Sequence, residues 1–250
     1  MARKRKTGGK APVPSSTESK SSVLGKSDRD DTSAFLQRVA QTPVRVGIGS
    51  KGRLIFALDA TMSREPTWDA ACAIQGAMFN ETAAIGGLGV QLVYFRGFRE
   101  FHASPWASDP NTLLNNMTGI QCRAGHTQIE RVLGHALHET KQQGVNALVY
   151  VGDCFEEDID GVCAVAGELG LSGVPAFMFQ EGRDPIAERA YREIARLTGG
   201  AYCNFSQASA KALRDLLSAV AVYAAGGRKA LADYGKEKGG EVLLLAKQVR

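Results

Sequence analysis

Residues 54–63 read Leu54-Ile55-Phe56-Ala57-Leu58-Asp59-Ala60-Thr61-Met62-Ser63. Five consecutive apolar residues without polar alternation predict a strand covered on both faces, as in a parallel sheet. The run stops at a carboxylate, and two hydroxyl residues follow at alternate positions. Ala147-Leu148-Val149-Tyr150-Val151 has the same character and ends in Gly152-Asp153.

Between and beyond these runs the pattern alternates. A helix is predicted over Thr67 to Ala84, a strand over Val90 to Phe95, and a short strand over Phe98 to His102. The close spacing of the last two predicts a hairpin with an antiparallel edge strand. Helices follow at Asn111 to Met117 and Thr127 to Gln142, then, after the 147–151 strand, at Ile159 to Leu169. A strand at Pro175 to Phe179, a helix at Pro185 to Leu197, a strand at Ala201 to Phe205 and a helix at Ala208 to Ala225 complete the series. This alternation predicts an α/β fold: three layers, doubly wound around a mostly parallel, Rossmann-like sheet.

The flanks differ in composition. Residues 1–30 carry Arg3, Lys4, Arg5, Lys6 and Lys10 among Ser, Gly and Pro, with little apolar content, and read as a disordered basic tail. Residues 31–51 hold a short helix with Phe35, Leu36 and Val39, capped at Asp31 or Thr32, and then a linker. The folded domain is expected over 52–225 and a tail over 226–250. The five basic residues at the start outweigh the net charge of +4, so the remainder is close to neutral and makes no overall case for nucleic-acid binding. The five cysteines form no Cys-x-x-Cys pair, so a reducing compartment is expected. No apolar stretch reaches the roughly 18–20 residues of a membrane span, and no secretory signal is visible. A cytoplasmic protein is the expectation.

In a doubly wound sheet, ligands bind beyond the carboxyl ends of the strands. Asp59, Thr61 and Ser63 follow one strand, Thr127 opens a helix, and Asp153 ends another strand. These five side chains offer two carboxylates and three hydroxyls on one edge of the sheet. A hard cation such as Mg²⁺ takes oxygen ligands of this kind and keeps several waters.

The pattern Asp59-x-Thr61-x-Ser63, a distant Thr127 and a distant Asp153 resembles the metal-ion-dependent adhesion site (MIDAS) of von Willebrand factor A domains, and the resemblance extends over residues 52–225. It implies a Mg²⁺ ion (or Mn²⁺ or Ca²⁺) atop the sheet, with Ser63 and Thr127 binding directly and Asp153 through water. It further implies that an acidic residue of a protein partner completes the coordination. Intracellular bacterial relatives work with AAA-type ATPases or other multi-protein machines, so such a partner is implied here. Two departures stand out. Thr61 replaces the commoner Ser, and Gly152-Asp153-Cys154 stands where Thr-Asp-Gly is frequent. The specificity-setting loops would be Arg64 and Glu65, Gly125 and His126, and Cys154 to Asp158.

Other readings compete. Asp59 is an alternative cap for the following helix, and Thr127 an alternative N-cap with Glu130 as its partner. Gly47-x-Gly49-x-x-Gly52 spells a dinucleotide fingerprint but precedes a strand, so it reads as a lead into the domain. His135 and His138 lack the zincin spacing and read as solvent-facing. Glu156, Glu157, Asp158 and Asp160 read as a solvated acidic loop. A Mg²⁺-dependent phosphotransfer enzyme built on Asp59 is the alternative from another class, though Thr61 stands where its second Asp belongs. In a third reading the metal site is vestigial and the basic tail binds nucleic acid.

Overall fold

The computed structural model describes residues 34, 37–39, 52–68, 88–205 and 210–238. At its centre is β1 (Gly52–Asp59), every residue of which is buried. It pairs in parallel with β2 (Leu88–Arg96) on one side and β4 (Ala147–Gly152) on the other. β4 is followed outward by β5 (Ala176–Glu181) and β6 (Ala201–Phe205), both parallel. β3 (Glu100–Ala103) turns back antiparallel on β2, so the order is β3-β2-β1-β4-β5-β6. The expected doubly wound sheet and its antiparallel edge are both present.

Successive side chains of a strand face opposite sides of the sheet, and each side has its own core. Leu54, Phe56 and Leu58 pack with Val149, Val151 and Phe177 against α1 (Pro110–Thr118) and α5 (Ala210–Lys238). Ile55 and Ala57 pack with Leu148, Tyr150 and Met178 against α2 (Ile129–Gln142), α3 (Ile159–Leu171) and α4 (Pro185–Thr198). Both faces being covered accounts for the unbroken apolar run.

Helix boundaries follow local chemistry. Asp109 accepts the Thr112 N–H to open α1, and Asp184 accepts those of Ile186 and Ala187 to open α4. Each is followed by proline at the first helical position, where no N–H is needed. Gly199, at φ 69°, closes α4 in the left-handed conformation.

Three sequence readings change here. The last helix was expected to end at Ala225 but continues to Lys238 across a break at Gly227. Beyond the break, Ala230 and Tyr234, four residues apart on one helical face, return to the core. Gly52, the last glycine of the apparent dinucleotide fingerprint, serves packing: a Cβ there would stand 2.2 Å from the Ala224 carbonyl oxygen of α5. His135 is half-buried rather than solvent-facing, with Nε2 2.8 Å from Gln91 Oε1.

The helix expected over Thr67 to Ala84 lies outside the described residues beyond Trp68, and Thr67 itself ends a 3-10 turn (Met62–Thr67). Residues 1–33, Phe35, Leu36, Gly47 and Gly49 also lie outside them, while Val39 is buried in the first core. No helix among the described residues is long and apolar enough to cross a membrane.

Candidate metal centre

The chain leaves β1 towards β2 on one side, while β4 lies on the other. Their carboxyl ends therefore form the crevice at which strand order reverses, the habitual ligand position of such sheets. Leu58 is in register with Val151, so Asp59 ends β1 level with Gly152, and Asp153 follows one residue beyond the end of β4.

Asp59 is fully buried. Its Oδ1 accepts the Thr61 N–H at 2.8 Å, a turn that an aspartate makes two residues ahead of itself. This bond replaces the helix-capping role. Thr61 is buried, and its hydroxyl lies 3.1 Å from that of Ser63, which is exposed. The first motif thus runs from the floor of the crevice to its rim.

Two carboxylate oxygens are left over. Asp59 Oδ2 and Asp153 Oδ1 are buried and have no hydrogen-bond partner among the described residues. Ligating atoms of Asp59, Asp153 and Cys154 lie within 4.8 Å of one another. Burial pushes the Asp59 carboxyl up to about 6, and the Asp153 charge adds to this. Hydrogen bonds from Thr61 and the Arg64 charge act in the opposite sense. The Cys154 thiol is held well above its ordinary range, chiefly by burial and then by the two aspartates. The two carboxylates, with the Thr61 and Ser63 hydroxyls close to Asp59, form an oxygen-rich donor set that suits a hard cation.

Thr127 does not take the alternative capping role. α2 begins at Ile129, and neither Thr127 nor Glu130 forms a capping box. The Thr127 hydroxyl instead accepts the Glu156 N–H at 3.0 Å, and its own N–H donates to Glu156 Oε2 at 3.3 Å. Thr127 is thereby bound to the loop after β4, which begins with Asp153. The helix start is capped from outside: Glu157 accepts the N–H groups of Ile129 and Glu130, at 2.6 and 2.9 Å. Asp158 caps α3 through the Gly161 N–H. The acidic loop, read as solvated, thus does structural work at three of its four positions.

Arg64 also departs from expectation. Its side chain is buried, not displayed on a rim, and it forms an ion pair with Glu181 at the end of β5. The Gly152 departure has a steric cause. A Cβ at Gly152 would meet the hydroxyls of Tyr150 and Tyr191 at 2.6 and 2.8 Å. Tyr191 donates to the Cys154 carbonyl at 2.8 Å, holding the loop from below. Nothing in the spacing of the sequence pointed to Tyr191, because its partner is 37 residues away.

No family model matches the chain, and no curated protein sequence does. Solved structures do. A von Willebrand factor type A protein from Catenulispora acidiphila superposes with a TM-score of 0.57 at 15% identity, over 69% of this chain and 43% of that one. The chain therefore spans less than half of that relative's length. The fold is that of a von Willebrand factor A domain.

Two isolated domains of this fold agree over nearly their whole length. The SpRpn10 VWA domain has a TM-score of 0.54 at 12% identity, covering 69% of this chain and 94% of its own. The vWF domain of the type V pili tip protein Mfa5 from Porphyromonas gingivalis has 0.55 at 11%, covering 69% and 96%. In this fold the crevice between β1 and β4 brings Asp59, Thr61, Ser63 and Asp153 to one end of the sheet, with Thr127 attached to its far wall.

Proposed function

We propose that the chain is a divalent-cation-dependent protein-binding domain. Asp59, Thr61, Ser63, Thr127 and Asp153 would hold Mg²⁺, with Mn²⁺ or Ca²⁺ as substitutes, and a carboxylate of a partner protein would join them. The ion supplies a Lewis-acidic anchor. The chain's own residues orient it: Thr61 fixes one Asp59 oxygen, Glu156 fixes Thr127, and Tyr191 fixes the loop that carries Asp153. No catalytic step belongs to this reading.

The observation that carries it is the pair of unpartnered, buried oxygens on Asp59 and Asp153. Two such groups facing one crevice are costly unless something positive joins them. An AAA-type ATPase or another multi-protein assembly is the kind of partner we infer. The free thiols at Cys122, Cys154, Cys163 and Cys203 suit a reducing compartment such as the cytoplasm.

Calorimetric titration of Mg²⁺ and Mn²⁺ into chelator-treated protein tests the reading. Saturable binding close to one-to-one, lost in Asp59→Ala and in Thr127→Ala, is expected. Binding that persists undiminished in Asp59→Ala would assign the ion elsewhere.

A further inference from the structure

Three loops around the crevice are joined by one strap, Gln121–Thr127. Arg123 donates its N–H to the Ala60 carbonyl at 3.1 Å and bridges in parallel to Thr61. Gly125 lies directly on the turn after β2, where a Cβ would come 2.0 Å from the Gly97 carbonyl oxygen. His126 meets the Phe98 ring edge-on at 5.7 Å, and Thr127 reaches Glu156. The strap therefore fixes the β2–β3 turn against the candidate metal centre. Phe95, opposite Asp59 in the sheet register, precedes that turn.

The turn presents an aromatic side chain to solvent. Phe98 is 76% exposed, carried beside Gly97 at φ 60° and backed by His126. Arg99 is exposed next to it and forms no ion pair among the described residues, whereas Arg123, though more than half exposed, is paired with Glu100 at 2.8 Å. The opposite wall has the other sign. From Asp153 to Asp160 there are five acidic residues and no basic one. An acidic ligand is repelled by that wall and attracted by the turn, and like-charge contacts cost enough to set orientation. Exposed aromatic and arginine side chains on a rigid turn are the residue types that dominate binding energy at protein interfaces.

We infer that Phe98, Arg99 and His126 form a docking surface for a partner segment of defined chemistry. An apolar residue beside the metal-binding acidic residue packs on Phe98, and a second acidic residue meets Arg99. The segment runs over the β2–β3 turn and away from the loop after β4. This rests on the metal-dependent reading above, since the first acidic residue is the one offered to the cation.

The test is selection from a displayed random-peptide library on the full chain in Mg²⁺, with elution by chelator. Eluted peptides are expected to share two acidic residues and an adjacent apolar one. Phe98→Ala and Arg99→Glu should each weaken the best of them about tenfold or more, while calorimetric Mg²⁺ binding stays at the wild-type level. Asp160→Asn, on the opposite wall, should leave affinity unchanged or raise it. Chelator-eluted peptides that bind both variants as well as wild type, or the absence of any enriched peptide, would overturn the docking surface. Peptides that depend on Phe98 but survive chelator would overturn the metal reading and leave the surface standing.

Discussion

Thr127 and Glu156 bond to each other twice, 29 residues apart: a backbone N–H of each meets a side-chain oxygen of the other. One side chain thereby joins the start of α2 to the loop that carries Asp153. Thr127→Ala removes the acceptor of the Glu156 N–H and should cost about 1–2 kcal/mol in urea denaturation of chelator-treated protein. Thr127→Ser keeps the hydroxyl and should recover both stability and Mg²⁺ binding. If serine restores neither, the hydroxyl is not what matters at this position.

Asp59 holds a buried negative charge beside Asp153, with one oxygen unpartnered. Asp59→Asn keeps the shape and removes the charge. Without cation, the variant should melt above the wild type. With Mg²⁺ the ranking should reverse, because only the wild type gains from a ligand that binds the folded state. Thermal melts with and without chelator read both halves. A wild type that does not respond to Mg²⁺ while Asp59→Asn does would contradict the assignment.

Gly152 leaves room for two tyrosine hydroxyls. Gly152→Ala should destabilise by about 1–3 kcal/mol, the usual cost of overpacking. The same change made in a Tyr150→Phe, Tyr191→Phe background should cost less, since the atoms it meets first are gone. A double-mutant cycle in denaturant measures that coupling, and full additivity would place the strain elsewhere.

His135 supplies one part of the pH dependence. Burial lowers its affinity for a proton against the opposing pull of Glu139, while His138 adds to the lowering. Gln91 gives its amide N–H to the Ser104 carbonyl and its oxygen to the His135 ring, so Nε2 is the donor. Both states are neutral above the unfolded value of about 6.5. As pH falls through that value the unfolded chain takes up a proton that the folded chain resists, so stability falls towards acid. The difference in denaturation midpoint between wild type and His135→Gln should shrink below pH of about 6.5, while Asp59, whose carboxyl is pushed up to about 6, acts on the wild-type midpoint in the opposite sense as it takes up its proton.

The layered fold was legible because its signals are local. Uninterrupted runs such as Leu54 to Leu58 and Ala147 to Val151 occur only where both sheet faces are covered. The first motif was equally legible, because Asp59, Thr61 and Ser63 are bonded neighbours within five residues. The starts of α1 and α4 were legible to within a residue, at Asn111 and Pro185, while the caps Asp109 and Asp184 emerged only in the structure.

What escaped the sequence were interactions between residues far apart in the chain. Arg64 looked like a rim residue until Glu181, from the end of another strand, buried it. Glu157 looked solvated until it met the start of α2. Thr127, for which a cap on its own helix was the alternative reading, fastens a different loop. Periodicity and capping rules act through the backbone over a few residues, so they determine elements and their order. Which polar groups meet across the carboxyl ends of β1 and β4 depends on how helices of unequal length pack against the sheet, and only the tertiary structure decides that.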